Sequence, residues 1–89
     1  MTDQDLYRLI GKRLRARRRL LELTQTEVAR ACDTTFQQIH KHETGACVLS
    51  VGRLIRLAQV LRAPVTSFLE PHTDRALDQL QRDNRAASS

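Results

Sequence analysis

Apolar residues recur along this chain at the three- and four-residue spacing of helices, and the signals that bound β-strands are missing. The first such block covers residues 5–21, with an apolar stripe and a tyrosine beside it: Leu6, Ile10, Leu14, Leu21 and Tyr7. A later block opens at Ser50 and has its own stripe: Leu54, Leu57, Ala58 and Leu61. The pattern therefore predicts an all-α chain.

Capping residues mark the ends of two shorter helices between these blocks. Thr24 precedes QTEVARAC and is followed three residues later by Glu27, the arrangement of a capping box. Thr35 is suited to cap a third helix that runs to about Thr44, where Gly45 ends it in the left-handed conformation. The two helices are thus predicted to be joined by a turn of about three residues.

A short element and a tail follow the fourth helix. Pro64 is suited to the start of a helix, and VTSFLE after it forms a last turn or short helix anchored by Phe68 and Leu69. After Pro71, residues 73–84 have a weak amphipathic pattern that favours one more short helix. We expect the final RAASS to be disordered.

A chain of 89 residues can form one small domain with a single core. We predict a compact bundle of four to five short helices over residues 5–70, followed by a tail over residues 71–89. This length leaves no room for a separate sensor domain, so we expect no small-molecule ligand. No apolar run approaches the roughly 18 residues that span a membrane, and MTDQDLYRL lacks a signal-peptide pattern, so we expect a cytoplasmic protein.

The second and third predicted helices form a helix-turn-helix. Small residues, Ala29 and Ala31, are expected at their contact, and Asp33 tolerates the positive φ that a tight turn needs. With Ile39 pointing to the core, a helical wheel places three residues of the third helix on its inner side: Thr35, His42 and Glu43. The outer side is mostly hydrogen-bonding: Gln37, Lys41 and Thr44, flanked by Gln38 and His40, with Phe36 at the border.

This outer face has the composition of a helix that reads DNA. Glutamine can bond bidentately to adenine, and lysine can bond to guanine, in the major groove. The alternative is an ordinary solvated helix, because glutamine and lysine are common on any exposed helical surface.

The charge distribution favours the first interpretation. The formal net charge is +5, and KRLRARRR, residues 12–19, has six positive charges in eight positions and no acid. Lys12, Arg15 and Arg19, together with Arg8, are predicted to face away from the apolar stripe. Such a density of like charge is destabilising unless an anion neutralises it, and phosphates would do so. Double-stranded DNA is therefore the expected partner, since three aromatic residues are too few to stack single strands.

The segment LRARRRLLELTQTEVARACDTTFQQIHKHETG resembles the phage-repressor or Cro-type (XRE) helix-turn-helix family. The resemblance runs from about residue 10 to residue 69. It rests on LTQ before the second helix, the A-x-x-C-D-T-T turn, I-x-x-x-E-x-G and S-x-x-R-L-x-x-L-A-x-x-L. It implies a lambda-repressor-like bundle that binds short inverted repeats as a dimer, with its third helix in the major groove.

The resemblance also implies roles for individual residues. By position, the base readers would be Phe36, Gln37 and Lys41, with Gln38 and His40 as helpers. Gln25 matches a phosphate-binding glutamine at the start of the second helix, and Arg18 and Glu43 match a pair that forms a buried salt bridge. Further phosphate contacts are expected from the basic run, the helix ends and the fourth helix: Lys12, Arg15, Arg19, Thr35, Thr44 and Arg53.

Several positions depart from the family pattern. Glu22 and Asp33 stand where glycines are common, which implies two slightly strained turns. His42 replaces a bulky apolar or aromatic residue, so it is either a packed histidine with one satisfied ring nitrogen or a pH switch. The loop ACVL after the third helix lacks the usual phosphate-binding side chains, so Val48 and Leu49 either meet a second subunit or fold back onto the core.

Metal and catalytic sites are not expected. His40, His42 and Cys47 could be considered as ligands, but the two histidines point about 160° apart on a helix. No cofactor is implied, and no nucleophile lies in a pattern with a base and a third orienting group, so an enzyme is not expected. The two cysteines, Cys32 and Cys47, are interpreted as reduced thiols.

The sequence thus predicts a bacterial, sequence-specific DNA-binding transcriptional regulator, a homodimer in the cytoplasm that associates with the nucleoid. The alternative is an antitoxin or adaptor-type protein on the same fold whose main contact is another protein, through residues 46–49 or 73–84. A non-specific nucleoid binder is a second alternative.

Overall fold

The computed structural model describes residues 2–69, which form five α-helices. In chain order they are α1 (Asp3–Leu20), α2 (Gln25–Ala31), α3 (Phe36–Thr44), α4 (Val51–Val60) and α5 (Thr66–Leu69). The predicted all-α fold is confirmed. The helix expected over residues 73–84, and the rest of the tail, lie outside the described residues. None of the five helices is long and apolar enough to cross a membrane.

The first helix begins two residues before the predicted start. Thr2 is its N-cap, and its hydroxyl accepts a hydrogen bond from the Asp5 backbone N–H at 3.2 Å. The Asp5 carboxylate accepts one from the Thr2 N–H at 2.9 Å, which completes a capping box. These bonds hold the pKa of Asp5 below its ordinary value. The apolar stripe, which starts at Leu6, could not show this extra turn.

The caps of α2 and α3 are confirmed. Thr24 and Glu27 form the predicted capping box, and the Thr35 hydroxyl accepts a bond from the Gln38 backbone N–H at 3.2 Å. Gly45 follows α3 with φ +73°, in the left-handed region that favours glycine. A Cβ there would also lie 2.7 Å from the Arg8 Cα, so glycine is needed on two grounds.

All the helices and the turn after α2 contribute to one core. Its buried apolar residues are Ile10, Leu14, Val28, Ala29, Cys32, Ile39, Leu54, Leu57, Ala58, Leu61 and Phe68. Helix α1 crosses α3 so closely at Gly11 that a Cβ on that residue would lie 2.5 Å from the His42 carbonyl oxygen. The two backbones are therefore in direct contact, which fixes α3 relative to α1.

The contact between α2 and its neighbours differs from the sequence expectation. Ala29 is buried as expected, but Ala31 is exposed, and Val28 fills the interior instead. The prediction for Ala31 is wrong because residues 28 and 29, rather than residue 31, lie on the inward face of this short helix. Glu22 and Asp33 adopt positive φ angles of 58° and 55°, in agreement with the two strained turns that the family resemblance implied.

The end of α4 is held by a side chain from α1. Arg17 donates through Nε to the Leu61 carbonyl at 2.8 Å and through Nη2 to the Arg62 carbonyl at 2.9 Å. These carbonyls lie at the C-terminus of α4, where helix carbonyls lack partners within the helix. Arg62 itself has a φ of +55°, which the sequence did not suggest.

Candidate DNA-binding site

Helix α3 presents a polar face outwards and an apolar face to the core. Ile39, His42 and Glu43 are buried, in agreement with the helical wheel. Four of the expected base readers are exposed on the other side: Phe36, Gln37, His40 and Lys41. The structure thus brings these four side chains together on one open surface.

The fifth expected base reader, Gln38, occupies a different position. It is half-buried, and its Nε2 lies 3.4 Å from the Cys47 sulfur and 3.3 Å from the His42 Nε2. The expectation that Gln38 flanks the outer face is therefore corrected. Its amide is turned towards the loop after α3, because that loop and His42 provide polar partners that a wheel of one helix does not contain.

Three helices meet at the carboxylate of Glu43. Arg18 of α1 donates to it through Nε at 2.6 Å and Nη2 at 3.0 Å, and the Arg18 and Glu43 side chains are only 13% and 4% exposed. Gln25, the first residue of α2, donates to the same carboxylate at 3.1 Å. Arg18 also donates to the Leu23 carbonyl at 2.8 Å, in the turn between α1 and α2. Glu43 thus anchors α3 to both neighbouring helices.

Gln25 lies where a phosphate-binding side chain would be expected. Its Nε2 is 3.4 Å from the His40 Nδ1 as well as bonded to Glu43, so its amide is held against α3. An open groove runs beside it between α1, the start of α2 and α3. Side chains from the three helices line this groove, among them Arg15, Thr24, Gln25, Phe36, His40 and Thr44.

Five of the six cations in the basic run on α1 fall into two groups, and Arg13 belongs to neither. Lys12, Arg15 and Arg19 are exposed, as predicted, and are available to an anion. Arg17 and Arg18 instead hold the end of α4 and the Glu43 carboxylate. The argument that this run is unrelieved like charge is therefore corrected: two of its cations are partnered within the protein, through contacts with residues far away in sequence.

The remaining expected phosphate contacts lie at helix ends. Thr35 and Thr44 are exposed, and the Thr44 hydroxyl donates to the Lys41 carbonyl at 3.2 Å. Arg53 is half-buried, and its Nη1 donates to the Cys32 carbonyl at 2.8 Å. This bond ties α4 to the turn of the helix-turn-helix, a structural role that the sequence did not reveal.

His42 is enclosed on the inner side of α3. It is only 4% exposed, and its Nδ1 lies 3.3 Å from the Cys47 sulfur while its Nε2 faces Gln38. Both ring nitrogens thus have a polar neighbour, where the sequence suggested one. Burial lowers the pKa of His42, and the positive charge of Arg53 adds to this effect. The neutral imidazole is therefore the form that the fold favours.

In the loop after α3, only one of the two apolar residues folds back onto the core. Leu49 packs partly against the core, whereas Val48 is 73% exposed. Both cysteines are free thiols, and burial raises the pKa of Cys32.

Within residues 2–69, no group of three or more His, Cys, Asp or Glu side chains is arranged to hold a metal ion.

Comparisons with known proteins agree with this geometry. Residues 9–68 match a family described as a helix-turn-helix domain. An uncharacterised HTH-type transcriptional regulator of Sinorhizobium medicae is 38% identical over 61 residues, which cover 68% of this chain and 44% of that protein. An uncharacterised transcriptional regulator in the ATPase CF(0) region of Rhodospirillum rubrum is 41% identical over 59 residues, which cover 66% and 55%. The chain thus spans about half the length of these relatives.

Two crystal structures of the clp gene regulator ClgR from Corynebacterium glutamicum have a similar fold. Both are 26% identical in sequence to this chain, with TM-scores of 0.70 and 0.72. The first comparison covers 72% of this chain and 83% of the other, and the second covers 92% and 88%. The family match includes α2, the turn and α3, together with most of α1 and all of α4. The chain therefore belongs to the helix-turn-helix domain family.

Proposed function

We propose that this protein is a transcriptional regulator that binds double-stranded DNA at specific sequences, with α3 in the major groove. The observation that carries the proposal is the exposed row on α3, where Gln37 and Lys41 project from a helix whose opposite side is fixed to the core. Both side chains can form hydrogen bonds to base edges. Phe36, which is 50% exposed, can contact a thymine methyl group, and His40 lies beside the row.

Phosphate contacts would come from surfaces on either side of α3. Lys12, Arg15 and Arg19 are exposed on α1, and Arg15 lines the same groove as Phe36 and His40. A cation in this position can neutralise a backbone phosphate while α3 reads the adjacent bases.

Contacts at the helix ends would complete the binding of the DNA phosphate backbone. Gln25 at the start of α2 would bind a phosphate with the amide hydrogen that now faces His40, and the exposed residues Thr35 and Thr44 would provide further contacts. Arg53 would have a smaller part, because its guanidinium is half-buried and already donates to Cys32. Gln38 would act on the position of the loop rather than on a base.

The protein would act in the bacterial cytoplasm, as a homodimer on an inverted repeat, because the two-fold symmetry of such a site matches that of a dimer. Its relatives are named as transcriptional regulators and come from bacteria, which supports a role in bacterial transcription. Its activity would depend on its abundance or on a protein partner.

A second candidate function is binding to another protein, as an antitoxin or adaptor would do. Three exposed apolar side chains near the start of α4 favour it: Val48 and Val51, which are 73% and 74% exposed, and Ile55, which is 44% exposed. Val51 and Ile55 are four residues apart on α4 and therefore share one side of that helix.

The proposal is tested by selecting DNA from a random pool with the purified full chain, followed by sequencing and footprinting. An enriched inverted repeat, protected from cleavage, is expected. Sedimentation of the complex with one such site should give two chains per duplex. If no motif is enriched and the protein binds all DNA sequences with equal affinity, specific recognition is refuted and a non-specific binder is favoured. Purification with a stoichiometric protein partner, and no DNA preference, would favour the second candidate.

A further inference from the structure

A second groove lies between α1 and α5. Its floor is largely apolar, and arginines lie along its edges: it is lined by Ala16, Leu20, Ala63, Pro64, Ser67 and Phe68, with Arg13, Arg17 and Arg62. On a helical wheel of α1, its residues are centred about 120° away from the face formed by Lys12, Arg15 and Arg19. The groove is therefore separate from the surface proposed to bind DNA.

Two observations indicate that the groove is incomplete as residues 2–69 form it. The Arg13 Nε is buried and has no hydrogen-bond partner within this range. A buried guanidinium N–H without an acceptor is unfavourable, because burial removes its hydrogen bond to water and no hydrogen bond within the protein replaces it. In addition, Leu20 is 71% exposed at one end of the groove. The groove thus offers both an apolar surface and a donor for an acidic group.

The segment that follows the described residues has the matching chemistry. In a helix over residues 73–84, the sequence TDRALDQLQRDN would place Ala76, Leu77 and Leu80 on one stripe. Two acidic residues would flank that stripe, Asp74 on one side and Asp83 on the other. Both arginines of the segment, Arg75 and Arg82, would lie on the opposite side together with Asp78. The acidic edges therefore complement the arginines of the groove.

We propose that residues 73–84 dock in this groove of their own chain as an amphipathic helix. Leu77 and Leu80 would cover the apolar floor, and an aspartate carboxylate of the segment would accept a hydrogen bond from Arg13. An isolated helix of this length is marginal in water, so the segment becomes helical by docking.

The position of the groove favours docking within one chain. Phe68, which lines the groove, directly precedes Leu69, where the described residues end, and residues 70–72 connect it to the segment. A linker this short gives the segment a high effective concentration at its own groove, which a second copy would need millimolar protein to match. A helix of 12 residues is about 18 Å long, enough to extend along α1 from Arg13 to Leu20, about 10 Å apart.

NMR spectroscopy of the labelled full chain tests the docking directly. Nuclear Overhauser contacts are expected from the methyl groups of Leu77 and Leu80 to Ala16 and Leu20. The variant L77S/L80S should lose these contacts and shift the backbone amide signals of the groove, while the signal of Ile39 on α3 stays in place. The matched control R75Q/R82Q alters the opposite side of the segment and should leave the groove signals unchanged.

The ionic part of the proposal has its own readout. The variant D74N removes the carboxylate on one flank, and the Arg13 Nε–H signal should shift if this carboxylate accepts its hydrogen bond. The variant D83N tests the other flank in the same way. If none of the aspartate variants shifts the Arg13 Nε–H signal, the proposed ionic contact is wrong.

Two results would overturn the docking itself. In the first, L77S/L80S and R75Q/R82Q leave the groove signals equally unchanged. In the second, the contacts disappear on dilution, in which case a second copy of the chain occupies the groove. Neither result depends on DNA, so this test and that of the proposed function can fail separately.

Discussion

Glu43 of α3 and Arg18 of α1 form a two-pronged ion pair at 2.6 and 3.0 Å, enclosed by the helices that it joins. Gln25 of α2 donates to the same carboxylate, so one side chain sets the relative positions of three helices. A buried carboxylate must be fully bonded to be tolerated, and these three donors meet that need. The pair therefore determines how α3 is held rather than what α3 contacts.

Loss of this pair should destabilise the domain strongly. In the variant R18Q, the Glu43 carboxylate stays buried without its cation, and the free energy of unfolding should fall by about 3 kcal/mol. Urea denaturation measures the loss. The matched control is R8Q, which removes an exposed pair in which Arg8 and Asp5 are 4.0 Å apart, and it should change stability by less than about 1 kcal/mol. Equal effects of R18Q and R8Q would contradict the structural role of Arg18.

Base readers and phosphate contacts should respond differently to mutation. Q37A or K41A should cost about 1–3 kcal/mol of binding free energy at the preferred site and relax the preference for one base pair there. The measurement is a titration of the selected site and of single-base variants, followed by fluorescence anisotropy. T66A, on α5, is the control and should bind like the unaltered protein. Uniform loss of affinity on all sequences would show that these side chains do not read bases.

Changes on α1 should affect all DNA alike. R15Q or R19Q should weaken binding to the selected site and to unrelated DNA by a similar factor. Each should also reduce the slope of log affinity against log salt by about 1, because one fewer counterion is released. Titrations at several salt concentrations measure this slope. A slope that stays the same would place Arg15 and Arg19 away from the phosphates.

The glycines offer a matched pair of stability tests. G11A should destabilise the protein, by more than about 1 kcal/mol, because its methyl group would meet the backbone carbonyls of His42 and Glu43. G52A, where a methyl group would meet no atom within 4 Å, should instead stabilise it by about 0.4–1 kcal/mol. Thermal unfolding compares the two. A stable G11A would contradict the close contact between α1 and α3.

Stability should fall in mild acid because of His42. Burial holds its pKa below the ordinary value of about 6.5, so the unfolded chain binds a proton at higher pH than the folded protein does. The stabilisation by neutral His42 is therefore complete above pH about 6.5 and is lost as the pH falls through the lower folded pKa. Unfolding free energies between pH 7 and about 5 measure the slope.

Variants of the two histidines on α3 separate this effect from other titrations. H42Q should reduce the pH dependence in this range, whatever its effect on stability at pH 7. H40Q replaces an exposed histidine of the same helix and should keep the pH dependence. If the slope survives in H42Q, another group causes it.

Local signals were enough to predict much of the fold. Thr24, Thr35 and Gly45 act on backbone groups within one turn, so their roles can be read from a few neighbouring residues. The outward positions of Gln37 and Lys41 follow from helical periodicity once Ile39 is known to be buried. The Arg18–Glu43 pair was expected only from the family resemblance, since no local pattern joins residues 25 positions apart.

Long polar side chains account for what the sequence could not predict. Arg17 reaches carbonyls 44 and 45 residues away, and Arg53 reaches one 21 residues away. Gln38 turns inwards because Cys47 and His42 are within reach of its amide. Each of these side chains has many rotamers, and the one adopted depends on which acceptors the tertiary packing brings near it.

The direct contact of the α1 and α3 backbones at Gly11 has a consequence for recognition. Helices that touch through main-chain atoms have no side-chain layer between them that could rearrange. The spacing between α3 and the part of α1 that carries the cations is therefore fixed. If α3 enters the groove as proposed, the duplex has to adapt to the protein, and sequences that deform easily would be preferred even at base pairs that no side chain reaches.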